Sequence, residues 1–187
     1  KLRSEKVTIE FPPESGINKR LDTVLTTLYL LFNEGYYSES REPVLREDLC
    51  LEAMRLNYLL IENERTSLPP VKALFSLMCF HASRFQARKN NQGGLVLYPD
   101  QDETLWNHEL ISNGAYFLHE ASRGNKLSKY HVEASIAYWH TVKADTKEKW
   151  ENILQLYDTL LQLEYSPLAA LNRIYAVSRV FGKQEAV

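Results

Sequence analysis

The sequence predicts an all-α fold: a right-handed array of antiparallel helix pairs, tetratricopeptide-like in its C-terminal half. Three observations predict it. From Arg20 onward, apolar residues recur every three or four positions. Pro, Gly, Ser and Asp punctuate these stretches where helices start and stop. Strand-like patterns are confined to short pieces near residues 7–11 and 95–97.

Residues 1–19 read as an extended arm. Val7, Ile9 and Phe11 alternate with polar residues, and Pro12-Pro13 and Gly16 break the segment. A helical domain then covers 20–187. Its first part, 20–88, carries three stripes. Leu21, Val24, Leu25, Leu28 and Phe32 form one, with Gly35 suited to end the helix. Leu45, Leu49, Ala53, Leu56 and Leu60 form the next. Val71, Leu74, Phe75, Met78, Ala82 and Phe85 form the third, with Ser67 as a possible cap and Pro69-Pro70 in the first turn.

Residues 89–101 interrupt the helices. Asn91 to Gly94 is a turn signal, and Leu95-Val96-Leu97 suits one short extended piece. Two helix pairs then fill 102–182. Trp106, Leu110, Phe117 and Ala121 share a face, with Asp102 as the cap. A helix follows over Ser128 to about His140. Asp145 and Glu148 resemble a capping pair ahead of Trp150, Ile153, Leu154, Tyr157, Leu160 and Leu161. Ser166-Pro167 opens the last helix, which runs to Gly182. Trp150 follows Trp106 by 44 residues. That exceeds the tetratricopeptide period of about 34 residues, so the likeness is one of style rather than a clean repeat.

Composition narrows function. The chain has 187 residues, 44% hydrophobic and 25% charged, which suits a globular protein. Its formal net charge is −2, without the basic excess expected of a domain that grips nucleic acid. Cys50 and Cys79 both lie in apolar helical patterns and read as buried thiols of a reducing compartment. No apolar run reaches membrane-spanning length, and no signal-peptide core opens the chain. A cytoplasmic location without membrane contact is expected. The chain starts at Lys1, not Met, which suggests a piece of a longer protein.

Chemistry-bearing motifs are sparse. His81, His108, His119, His131 and His140 complete no zinc-ligand pattern. Asp100, Asp102 and Glu103 beside Trp106 raise the possibility of paired acids, as in glycoside hydrolysis, but helix capping explains them more simply. Gly93-Gly94 is no phosphate loop, and no serine sits on a nucleophile elbow. No catalytic, metal or cofactor residue is assigned. Polar residues within apolar stripes remain: Asn33 and Glu34, His81 and Arg84, Glu133 and His140, Asn172 and Arg173. Either they form a network locking helix to helix, or they line a groove for a partner.

Six segments carry a resemblance: YLLFNEGYYS (29–38), LCLEAMRL (49–56), LMCFHASRFQAR (77–88), LYPDQDETLW (97–106), YHVEASIAYWH (130–140) and LYDTLLQLEYSPLAALNRIYAV (156–177). In order and spacing, they resemble the C-terminal extension of a subgroup of extracytoplasmic-function RNA polymerase sigma factors. Ser135 and Ile174 depart from that pattern, each standing where Ala is expected. The resemblance marks Asn33, Glu34, Arg84, Asp100, Gln101, Asp102, Trp106, His140, Asn172 and Arg173 as a candidate interaction network. It implies a regulatory module in transcription initiation that contacts the sigma regions of its own full-length chain, or core RNA polymerase. Promoter DNA would be read only by sigma regions two and four, which this sequence does not include, and the arm would be the linker leaving region four. Two alternatives stay open: a ligand- or peptide-sensing helical scaffold, and an enzyme using Asp100, Asp102 and Glu103. Oligomeric state is not predicted.

Overall fold

The computed structural model describes residues 14–36, 45–90, 94–182 and 184. Among these, seven α-helices follow in order: α1 (Glu14–Tyr36), α2 (Glu47–Glu62), α3 (Pro69–Ala82), α4 (His108–Ala121), α5 (Lys129–Trp139), α6 (Lys147–Leu163) and α7 (Pro167–Phe181). The all-α expectation holds. The 95–97 piece contributes one isolated bridge, Lys89 to Leu95, and no strand among the described residues.

Helix α3 is the centre. Val71, Ala73, Leu74, Ser76, Leu77, Met78, Cys79, Phe80 and Ala82 are all buried. A helix apolar on every side must be enclosed by neighbours. Here α1, α2, α4 and α5 enclose it. The approaches of α2 and α4 leave chemical traces. Asn57 of α2 is fully buried, and its amide can donate to the Val71 carbonyl (3.1 Å) and accept from the Phe75 N–H (3.3 Å). Ser76 donates to the Gly114 carbonyl of α4 at 2.7 Å. Lys72 lies 3.8 Å from Glu120 on the same helix. Residues 72 and 76 thus meet 120 and 114, so α3 and α4 run antiparallel.

The last pair is also antiparallel. Leu160 of α6 packs with Ala169 of α7, and Ile153 packs with Ala176. Arg173 pairs with Asp158 across them. Val132 and Ile136 of α5 join the Leu160–Ala169 cluster, so α5 links this pair to the main core.

Several boundaries differ from the periodicity reading. Helix α1 starts at Glu14, directly after Pro13, so 14–19 are helix rather than arm. Gly16 falls in the first turn, where its poor propensity is tolerated. Residues 1–13, with the Val7-Ile9-Phe11 alternation, lie outside the described residues, as do 91–93. Gly35 does not end α1, which continues through Tyr36. Its role is close approach: a Cβ there would stand 2.7 Å from both the Arg46 carbonyl oxygen and Cys50 Sγ of α2. That approach also rotates the buried line of α2 onto Cys50, Ala53, Met54 and Asn57, leaving Leu49, Leu56 and Leu60 only partly buried. Val24, placed on the first stripe, is 38% exposed.

Caps differ too. Leu68, not Ser67, precedes α3. Asn107 caps α4 by accepting from the Leu110 N–H, so Trp106 stands before that helix rather than on it. Asp102 caps only the single 3-10 turn Glu103–Leu105. Thr146 caps α6, freeing Asp145 for other contacts. Ser128, Ser166 and Gly182 mark the ends of α5 and α7 as expected. Cys50 and Cys79 are buried thiols, both pushed up to about 12 by burial.

Gly114 gives a direct test of the α3–α4 contact. A Cβ there would stand 2.7 Å from Phe80 Cε1, in a ring that is itself fully buried. Gly114→Ala is expected to destabilise the protein by about 1–3 kcal/mol, although Ala favours helix over Gly by about 1 kcal/mol. A thermal or urea melt measures this. An unchanged or raised midpoint would mean that α3 and α4 are not in such close contact.

Candidate functional site: a cleft across five helices

Helices α1, α3, α5, α6 and α7 enclose a cleft of about 1060 Å³. Its floor is one face of α5, carrying Lys129, Glu133, Ile136, Ala137 and His140. These positions are spaced as one helical face requires, at i, i+4, i+7, i+8 and i+11. Leu74, Leu77 and Met78 of α3 make one apolar wall, and Leu160, Leu168 and Ala169 make the other.

The two ends differ in charge. At the N-terminal end of α5, Lys129 donates to Glu164 at 2.9 Å, and Tyr29 donates to Glu133 at 3.3 Å. Burial pushes the Glu133 carboxyl up to about 7, against the pull of Lys129 and the Tyr29 hydroxyl. At the C-terminal end of α5, cations and rings gather. Arg84, only 6% exposed, reaches the Tyr36 hydroxyl at 3.5 Å and lies 5.4 Å from the centre of the Tyr98 ring. Lys149, 2% exposed, donates to the Tyr98 hydroxyl at 3.1 Å and to the Val142 carbonyl. Lys143 donates to the Gln101 carbonyl at 2.6 Å. His140 sits between the Tyr98 and Trp150 rings, with centroids 5.2 and 6.1 Å away.

Electrostatics follow from this crowding. Burial, then Arg84 and Lys149, pull the His140 imidazole down to about 3, so it is neutral at physiological pH. Its Nδ1 is buried with no hydrogen-bond partner among the described residues, as is Arg84 Nε. Burial also lowers the Lys149 ammonium below its usual value, which Asp145 partly offsets. Asp145 accepts from the Trp150 indole and from Arg179, and both hold it below the usual carboxylate range.

The ten marked residues divide. Asn33, Arg84, His140 and Asn172 line the cleft, and Asn172 bonds the Tyr157 hydroxyl. Gln101 and Trp106 are buried beneath it: Gln101 offers its carbonyl to Lys143, and Trp106 stacks on Tyr98 with centroids 6.4 Å apart. Glu34, Asp100 and Asp102 are exposed and do not line the cleft. Arg173 bonds Asp158 on the flank of α6. The acid group does not converge on the cleft, since Glu103 is also exposed and Asp102 caps Thr104. Periodicity missed Lys149 altogether, because a lysine in a first helical turn looks like surface. Tyr98 lay within a quoted motif but had no partner in view. His131 is structural: it completes a capping box with Ser128 and meets the Ala121 carbonyl at 3.3 Å.

The fold and cleft define an all-α protein whose helices leave one large concave face. The chain belongs to a family of unknown function, DUF6596, which matches residues 20–122. It is 35% identical over 183 residues to an uncharacterized protein of Rhizobium meliloti (strain 1021). That match takes in 97% of this chain and 43% of the relative, so the chain spans less than half of the relative's length. No solved structure matches it.

Two titrations in the cleft oppose each other. From about pH 4.5 to 7, Glu133 is ionised in the unfolded chain but holds its proton when folded, so stability falls as pH rises through that window. His140 takes up a proton in the unfolded chain below about 6.5, and in the folded chain only near 3, so stability falls as pH drops through that range. Glu133→Gln is expected to remove the first slope. It should raise stability above pH 7 by on the order of 1–3 kcal/mol and leave the acid limb in place. Melting midpoints from pH 4 to 8 measure this; parallel curves for the two proteins would contradict it.

Proposed function

We propose that this chain is the regulatory, protein-contacting extension of an extracytoplasmic-function sigma factor, acting in transcription initiation. In this reading its cleft receives a part of the sigma regions or of core RNA polymerase. Promoter DNA is left to other regions of a longer, cytoplasmic protein, and the helix pairs form a tetratricopeptide-like array. One observation carries the reading. Five of the six segments that resemble sigma-factor extensions contribute side chains to the same cleft, although they span residues 29–177. The sixth, residues 49–56, packs α2 behind α1. Residues recruited from such distant segments to one concave face suit recognition better than packing alone.

Two further facts support it. The relative in Rhizobium meliloti has more than half of its length outside the matched part, which is room for DNA-reading regions. The net charge of −2 suits a module that leaves DNA to its neighbours. The peptide- or ligand-sensing alternative uses the same cleft.

The test uses the longer Rhizobium protein, intact and with the matched segment deleted. Binding to core polymerase and run-off transcription from promoters the intact protein serves are measured in parallel. Deletion is expected to change one or both by about fivefold or more, the lower end of ordinary coupling between sites. Equal core binding and equal transcript yield would refute the proposal, as would failure of the intact protein to direct any transcription.

A further inference from the structure

Buried cations without counter-ions are rare, because each loses its hydration and needs a negative partner in return. The cleft holds such cations. Arg84 and Lys149 are more than nine-tenths buried, and Lys143 is half-buried. None of the three has a carboxylate in ion-pair range among the described residues. Their hydrogen bonds go to neutral oxygens: the hydroxyls of Tyr36 and Tyr98 and the carbonyls of Gln101 and Val142. Three acids lie near these cations without reaching ion-pair range: Asp145, already engaged by Arg179 and the Trp150 indole, and Asp102 and Glu103, both solvent-exposed. Two polar atoms at the same end, Arg84 Nε and His140 Nδ1, are buried without partners.

We infer that this end of the cleft is a receptor for carboxylate side chains of an acidic peptide segment, which lies extended along the cleft-lining face of α5. The inference rests on the reading of the cleft as a protein-contact site and specifies its chemistry. Size favours a peptide. The α5 floor from Lys129 to His140 covers eleven residues of rise, about 16 Å, the length of about five extended residues. The volume of about 1060 Å³ leaves room for such a segment. Polarity gives a direction. The acidic end of the peptide meets Arg84, Lys143 and Lys149. Its apolar side chains meet Leu77, Ile136, Leu160 and Leu168, and the far end meets the Lys129–Glu133–Glu164 group. The rings of Tyr98 and Trp150 exclude water around the cations, which strengthens charge-assisted hydrogen bonds to a carboxylate. Glu133 stands at the other end, and Asp145, at this end, is paired with Arg179.

Fluorescence anisotropy with the whole 187-residue chain tests this. The probes are two labelled peptides, Asp-Glu-Leu-Phe-Leu-Ala and its amide counterpart Asn-Gln-Leu-Phe-Leu-Ala. The acidic peptide is expected to bind about tenfold or more tightly than the amide one, as loss of charge-assisted bonds implies, and to weaken as salt rises. Arg84→Gln and Lys149→Met should each cost about tenfold in affinity for the acidic peptide and little for the amide one. Lys143→Gln, at a half-exposed site, covers the case in which the buried variants do not fold, which circular dichroism monitors. Equal affinity for both peptides, no binding of either, or unchanged affinity in the folded variants would overturn the inference. So would a thymidine oligonucleotide or inorganic phosphate that displaces the acidic peptide at lower concentration, since the site would then be one for phosphate. Peptide binding alongside an unaltered transcription result leaves the receptor standing and refutes the sigma-factor role. The reverse pattern refutes the receptor alone.

Discussion

Helix α3 is buried along nearly its whole circumference, and the rest of the protein is arranged by that constraint. Its apolar circumference demands neighbours on every side, and α1, α2, α4 and α5 supply them. Close approach is achieved where those neighbours carry small residues. Gly114 admits the Phe80 ring, and Gly35 lets the start of α2 come against the end of α1. Two of the contacts with α3, those of α2 and α4, are locked by a buried polar group: Asn57 against Val71 and Phe75, Ser76 against Gly114. Fully satisfied polar groups in a core specify one register among several that apolar packing alone would allow.

The enclosure of α3 also creates the cleft. Helix α5 packs on α3, α4 and α6, and one of its faces lines the cleft. That face carries two groups whose ionisation burial opposes, a carboxyl pushed up to about 7 and an imidazole pulled down to about 3. Both shifts raise the cost of ionisation, and both arise from burial. The cleft therefore has a neutral imidazole and a set of fixed cations at one end. Its other end carries a carboxyl that titrates near neutrality.

Much of the fold was legible from residue order. The α1 line of Leu21, Leu25, Leu28 and Phe32, the Ser128 and Ser166 caps and the Gly182 stop all follow from local rules, since each involves residues within a few positions of each other. The misses share a cause. Gly35 looked like a helix end because glycine usually is one, but its neighbour is a different helix. The apolar line of α2 included Leu49 and Leu56, while the depth of the α1 contact kept Ala53 and added Cys50 and Met54. Asp145 looked like a cap, but Arg179, distant in sequence, claimed it.

For the cleft, residue order indicated polar groups embedded in apolar stripes, and Asn33, Arg84, His140 and Asn172 do line it. Order could not separate them from Glu34, Asp100 and Asp102, which face solvent. Helical periodicity reports which residues share a face of their own helix, and it determined the all-α class and the amphipathic stripes of this protein. It carries no information on which faces meet. That pairing placed Lys149 beside Tyr98, 51 residues earlier, and Lys143 beside Gln101. Only tertiary structure decided that the cations would be buried together, because the cost of their burial depends on what surrounds them rather than on what precedes them.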